Sequence, residues 1–110
     1  MPENAKSAGN AQGTGSTGSR ENDEAFSSIE GLRAEIDALD AALVGLLNKR
    51  AEHALAIRAL KPKAQLGLFD PRREEEIFER VSALNEGPLY GDDLRAIYEA
   101  ILRVSKEMRG

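Results

Sequence analysis

SIEGLRAEIDALDAALVGLLNKRAEHALAIRAL, Ser28 to Leu60, is followed by Lys61 and Pro62. It contains no proline and only two glycines, Gly31 and Gly45. Apolar side chains return at Leu32, Ile36, Leu39, Leu43, Leu46, Ala54 and Ile57, three or four apart for most of the run. That is helical periodicity. Two positions on the same stripe, Arg50 and Lys61, are cations. A long amphipathic helix with charges on its apolar stripe is the feature to be explained.

The helix is expected to start at Ser27 or Ser28, because Ser27 with Glu30 three residues on fits a capping box. It is expected to stop at Lys61, because proline disfavours helical geometry at the residue before it. About 33 residues at 1.5 Å each give a rod roughly 50 Å long. A globule of about 85 residues has a radius of gyration near 12 Å and cannot cover it. Unless the helix breaks at Gly45, the uncovered stripe calls for a second chain, hence a homodimer.

Working outward, residues 1–26 differ from the rest. Residues 10–19 read NAQGTGSTGS, with no apolar periodicity. Such a segment cannot bury enough surface to offset its ordering entropy. A disordered tail or linker over 1–26 and a helical domain over 27–110 are expected. After Pro62 comes a loop to Phe69. Asp70-Pro71 then starts a second helix, with Asp as N-cap and proline in the first turn. Its apolar face is Ile77, Phe78, Val81 and Leu84, and residues 85–88 (NEGP) end it. A third helix runs from Gly91 or Asp92 to about Met108, with Leu94, Ile97, Tyr98, Ile101, Leu102, Ser105 and Met108 on one face. No segment alternates with period two. The expected fold is therefore all-α, three helices per chain with a very long first helix.

Composition bounds the function. The 110 residues suffice for one domain, and a formal charge of −4 argues against general nucleic-acid binding. The absence of cysteine removes disulfide and thiolate chemistry. No apolar run approaches the roughly 20 residues that span a bilayer, and the N-terminus has no signal-like apolar region. A cytoplasmic protein with no membrane partner is the default. The single histidine, His53, has no cysteine or serine–acid pattern near it and is expected to be exposed. There is no metal-ligand spacing and no phosphate loop.

The charged positions admit two readings each. Arg50 and Lys61 are eleven residues apart, so they lie about 20° apart around the helix and roughly 16 Å along it. Either they converge on one small anion, or each snorkels to solvent or pairs with a glutamate of the second helix. Arg33, 17 residues before Arg50, lies about 100° off that face and some 25 Å away. By itself it suggests a surface pair with Asp37; in an antiparallel dimer it would reach the partner's site. Asp70 and Glu74 share a face, with Asp70 also explained by capping. Arg73 and Glu74 also fit a solvated charge run, and Ser105 fits a serine bonded back to its own helix. Cations with few acid–base groups suit binding of a polyanion, or a reaction that needs only positioning and electrostatics.

From Leu32 to about Met108 the chain resembles the AroQ-type, all-helical chorismate mutases. The resemblance rests on LRAEIDALDAALVGLLNKR, AIRALK, FDPRREEEIFERV and IYEAILRVS, and on the order and spacing of Arg33, Arg50, Lys61, Asp70, Arg73, Glu74 and Ser105. It implies an intertwined homodimer of three-helix chains with two identical sites. It also implies the Claisen rearrangement of chorismate to prephenate, a step of the shikimate pathway to aromatic amino acids, with no cofactor. Arg50 would bind a substrate carboxylate, and Arg33 would do so in the other protomer's site. Lys61 would bridge a carboxylate and the ether oxygen. Glu74 and the Asp70 region would take the ring hydroxyl, and Ser105 and Arg73 the ring-carboxylate end. One position departs: four residues after the serine the family usually carries glutamine or glutamate, and this chain has Arg109. Fusion to, or association with, prephenate dehydratase is a further implication. The competing expectations are an isochorismate-pyruvate lyase and a non-catalytic helical dimerisation module, the latter supported only by Arg109.

Overall fold

The computed structural model describes residues 16–67 and 70–109, with the side chains of 16–19 left out. The described residues form three helices and no strand: α1 (Ser16–Leu60), α2 (Pro71–Leu84) and α3 (Gly91–Glu107). The all-α, three-helix expectation holds, and the first helix is 45 residues long. Gly31 and Gly45 both lie inside it without a break.

The start of α1 is a correction. The helix begins at Ser16, so Ser27 is an interior residue and not a cap. The reason lies in composition. The glycine-rich material ends at Gly18, and residues 20–26 have neither glycine nor proline and include Arg, Glu and Ala. Good helix formers extend a nucleated helix without any apolar stripe. Of the expected tail over 1–26, residues 16–26 are thus helical, and 1–15 lie outside the described residues.

The chain divides into two units at Gly45. In the first, the stripe of α1 is open: Leu32, Ile36, Leu39 and Leu43 are each more than half exposed. The second, Leu46–Gly110, holds the packed part of the chain. There α2 and α3 pack together. Ile77, Phe78 and Val81 of α2 and Leu94, Tyr98 and Ile101 of α3 are partly buried, and Leu102 is the one buried side chain among the described residues, 7% exposed. Leu84 and Ile97 were expected on these faces but are exposed. Arg95 lies 4.0 Å over the Phe78 ring, tying α3 to α2 by a cation–π contact.

The boundaries follow the local chemistry. Leu66 N–H donates to Lys61 O at 2.8 Å and Gln65 N–H to Pro62 O at 3.1 Å. This is the Schellman pairing that closes a helical turn, with Gln65 in the left-handed region at φ 62°. At α2, the Asp70 carboxylate accepts from Arg73 N–H at 3.0 Å, with Pro71 opening the helix. Both were expected of Asp70-Pro71. At α3, the Asp93 carboxylate accepts from the N–H of Tyr90, the N-cap residue.

Candidate active site

Within the second unit, a cleft of about 460 Å³ opens between the end of α1, the start of α2 and the end of α3. Each element presents charge for a local reason. The stripe of α1 turns cationic where Arg50 and Lys61 interrupt it, and both are partly buried. The Asp70 cap aims the first turn of α2, so Asp70, Arg73 and Glu74 line one wall. Ser105 lies on the packed face of α3 and lines the opposite side.

Six expected site residues therefore meet in one cleft: Arg50, Lys61, Asp70, Arg73, Glu74 and Ser105. Arg50 Nη1 donates to Ser105 Oγ at 3.2 Å. The serine is thus engaged by a side chain of α1, where the simpler reading had it bonded back to its own helix. Among the described residues no glutamate of α2 pairs with Arg50, which donates to the serine. Glu74, partly buried, lies 3.1 Å through Oε2 from Lys106 Nζ. Arg73, more than half exposed, pairs with Glu76 at 3.5 Å while still lining the cleft.

Two expected residues are placed elsewhere. Arg33 belongs to the first unit and pairs with Glu30 at 3.3 Å. The expected partner was Asp37; positions three before and four after lie on the same side of a helix, and the shorter reach back is taken. Arg109 is exposed and does not line the cleft. The helix ends at Glu107, and Met108 is extended at φ −62°, ψ 147°, so residue 109 leaves the face that carries Ser105.

The sequence reading missed two cations of the cleft, Arg58 and Lys106. Arg58 Nη2 donates to Ser105 O at 2.7 Å and to Lys106 O at 2.8 Å, and its Nη1 donates to Met108 O. Arg58 sits on the flank of the stripe, three residues before Lys61, which is the one signal that would have suggested it. His53 is exposed, at the edge of the cleft. Apolar walls come from Ala54, Ile57, Ile77 and Leu102. The arrangement is a cationic pocket with two carboxylates at one side and an apolar floor. It can hold a compact dianion and press a hydroxyl of that ligand toward the carboxylates.

Comparison with known proteins agrees with this chemistry. Residues 32–109 match the family model described as chorismate mutase type II. The chain is 39% identical over 80 residues to a bifunctional chorismate mutase/prephenate dehydratase of Aquifex aeolicus, covering 73% of this chain and 21% of that protein. It is 36% identical over 70 residues to the protein of the same name from Neisseria gonorrhoeae, covering 64% of this chain and 19% of the relative. The chain thus spans about a fifth of the length of these curated relatives. Among solved structures, it resembles chorismate mutase from Helicobacter pylori in complex with prephenate, with a TM-score of 0.67, 41% identity, and coverage of 74% of this chain and 88% of that one. Form I of the Thermus thermophilus chorismate mutase gives a TM-score of 0.69 at 31% identity, covering 71% of this chain and 98% of that one.

Proposed function

The chain belongs to the type II chorismate mutase family and is a chorismate mutase domain, and from that premise we propose that it rearranges chorismate to prephenate in a site shared between two copies of itself. One observation carries the proposal: Arg50, Lys61, Asp70, Arg73, Glu74 and Ser105 line a single cleft. The Helicobacter relative, whose structure holds prephenate, supports the assignment of the ligand.

The chemistry asks little of the protein beyond electrostatics. Chorismate is a small dianion. In the rearrangement its ether C–O bond breaks as a new C–C bond forms, with no group gained or lost. The transition state is more compact than the extended substrate, and negative charge grows on the ether oxygen. Fixed cations select the folded conformer and stabilise that charge. In this reading Arg50 takes a carboxylate, its guanidinium anchored at one corner by Ser105. Lys61 bridges a carboxylate and the ether oxygen. Glu74 and Asp70 receive the ring hydroxyl. With Oε2 of Glu74 on Lys106, Oε1 is the atom assigned to that hydroxyl. Ser105 and Arg73 serve the ring-carboxylate end. No cofactor enters.

The second copy is part of the same proposal. Ile29, Leu32, Ile36, Leu39, Leu43 and Leu46 alternate spacings of three and four along α1, the pattern of a helix–helix seam, and all are exposed in the single chain. Pairing α1 with its twin would bury this seam and bring the partner's Arg33 to the cleft. The assignment of Arg109 to the site is retained only as a last-turn contact that substrate would have to recruit. A cytoplasmic location, and a prephenate dehydratase fused to or working beside this domain, belong to the proposal too. The dehydratase is suggested by the curated relatives' names. Among the described residues no helix is long and apolar enough to cross a membrane.

One assay tests the reading. The protein is incubated with chorismate and, separately, with isochorismate, and substrate loss is followed with the appearance of prephenate or pyruvate. Prephenate is the expected product. Pyruvate from isochorismate would make the protein a lyase. No turnover, with no protection by chorismate against thermal unfolding, would leave a non-catalytic dimerisation module. Sedimentation should give a dimer of the 11.9 kDa chain, and a compact monomer would overturn the shared site.

A further inference from the structure

Arg58 carries no role in the reaction above, yet it holds the end of α3. Its guanidinium donates to three main-chain carbonyls, those of Ser105, Lys106 and Met108. The last carbonyls of a helix have no N–H partner within it, and a cation there is favoured by the helix dipole. Arg58 supplies both the donors and the charge, from a position 47 residues away from Ser105.

The identity of those carbonyls matters more than the cap itself. Ser105 and Lys106 are residues of α3 whose side chains bond across the cleft. The Ser105 hydroxyl meets Arg50 on α1, and the Lys106 ammonium meets Glu74 on α2. Arg58 therefore grips the backbone of both residues whose side chains connect the three helices at the site. The Ser105 carbonyl is also the group that would accept from the N–H of residue 109 in a continued helix. With that carbonyl on Arg58, Met108 turns extended and Arg109 stays outside.

We propose that Arg58 is a positioning residue for the mutase site: it fixes the height of α3 against α1, and so places Ser105 on Arg50 and Lys106 on Glu74. The inference rests on the proposed reading of the cleft. It predicts a planar fork, and not merely a positive charge, because one ammonium cannot reproduce the geometry of five donors held in a plane.

The test compares Arg58→Ala, Arg58→Lys, Ser105→Ala and the double variant Arg58→Ala/Ser105→Ala, all in the full chain. Arg58→Ala should lower kcat/KM about tenfold or more, the scale of a misplaced binding group. Arg58→Lys should recover thermal stability but not kcat/KM, because it restores charge at the helix end without the fork. Ser105→Ala should cost little further in the Arg58→Ala background, since the serine is already displaced there. Hydrogen exchange of the last-turn amides of α3 should be faster in both Arg58 variants. Three results would overturn the proposal: kcat/KM unchanged in a folded Arg58→Ala, full rescue by lysine, or effects of the two lesions that multiply independently. If the wild-type protein turned over no chorismate, the functional reading would fall. The exchange measurement would still decide whether Arg58 holds the end of α3, and unchanged protection would refute it.

Discussion

Arg50 and Ser105 meet through a 3.2 Å hydrogen bond although 55 positions of sequence separate them. One is an interruption of an apolar stripe, and the other a small polar residue on an apolar face. Each looks like a minor irregularity alone. Together they fix a guanidinium at the wall of a cleft, the arrangement needed to hold a carboxylate. Arg50→Ala should lower kcat/KM by about 10²–10³, as loss of a charged contact worth about 3–4 kcal/mol at the transition state. Arg50→Lys should rescue poorly, because the bidentate fork is gone. Ser105→Ala removes a lesser contact and should cost about 1 kcal/mol. Steady-state kinetics on the three variants check the order.

Lys61 sets a different expectation, because its proposed target is charge that develops only during the reaction. Lys61→Ala should lower kcat more than it raises KM, the signature of an interaction made chiefly in the transition state. A variant with wild-type kcat and weakened KM would reassign Lys61 to simple substrate binding.

Asp70 combines two duties that substitution can separate. Its carboxylate caps α2 by accepting from Arg73 N–H at 3.0 Å. Asp70→Ala should cost about 1 kcal/mol of stability, a fall in Tm of about 4–8 °C for a domain of this size. Asp70→Asn keeps the cap and should hold Tm while changing KM, if the charge serves the substrate. Calorimetry beside kinetics distinguishes the two duties.

Much of this was legible in the sequence, and the misses share a cause. The ends at Pro62 and Asp70-Pro71 were readable because proline acts on its immediate neighbours. The beginning of α1 was not: a capping box is a local pattern, and Ser27 with Glu30 matches it while sitting inside a longer helix. Arg50, Lys61, Asp70, Arg73 and Glu74, which line the cleft from α1 and the start of α2, could be named from spacing and resemblance. Arg58 and Lys106 could not, because their roles exist only once α3 lies beside the other two helices. Arg109 lies off the cleft for the related reason that a helical register assumes the helix continues, and α3 ends at Glu107.

Gln65 occupies the left-handed region at φ 62° in the turn that follows α1. A side chain there costs about 1–2 kcal/mol relative to right-handed geometry, and glycine escapes most of it while adding some unfolded-state entropy. Gln65→Gly should therefore stabilise the protein by about 0.5–1 kcal/mol. Gln65→Val should destabilise it, since a β-branched residue tolerates positive φ poorly. Denaturant midpoints of the two variants check the sign.

Arg33 offers the sharpest test of a shared site, because its pairing with Glu30 in the single chain gives it no catalytic meaning there. If each site uses Arg50 from one chain and Arg33 from the other, Arg33→Ala and Arg50→Ala homodimers are both impaired at both sites. Refolded together, the two variants form heterodimers in which one site gathers both lesions and the other gathers none. Two-fold symmetry makes this pairing obligatory. Random reassortment then restores about a quarter of wild-type activity, since about half the dimers are mixed and each has one intact site. A mixture no more active than the average of its parents would place Arg33 outside the partner's site and leave its role to surface pairing.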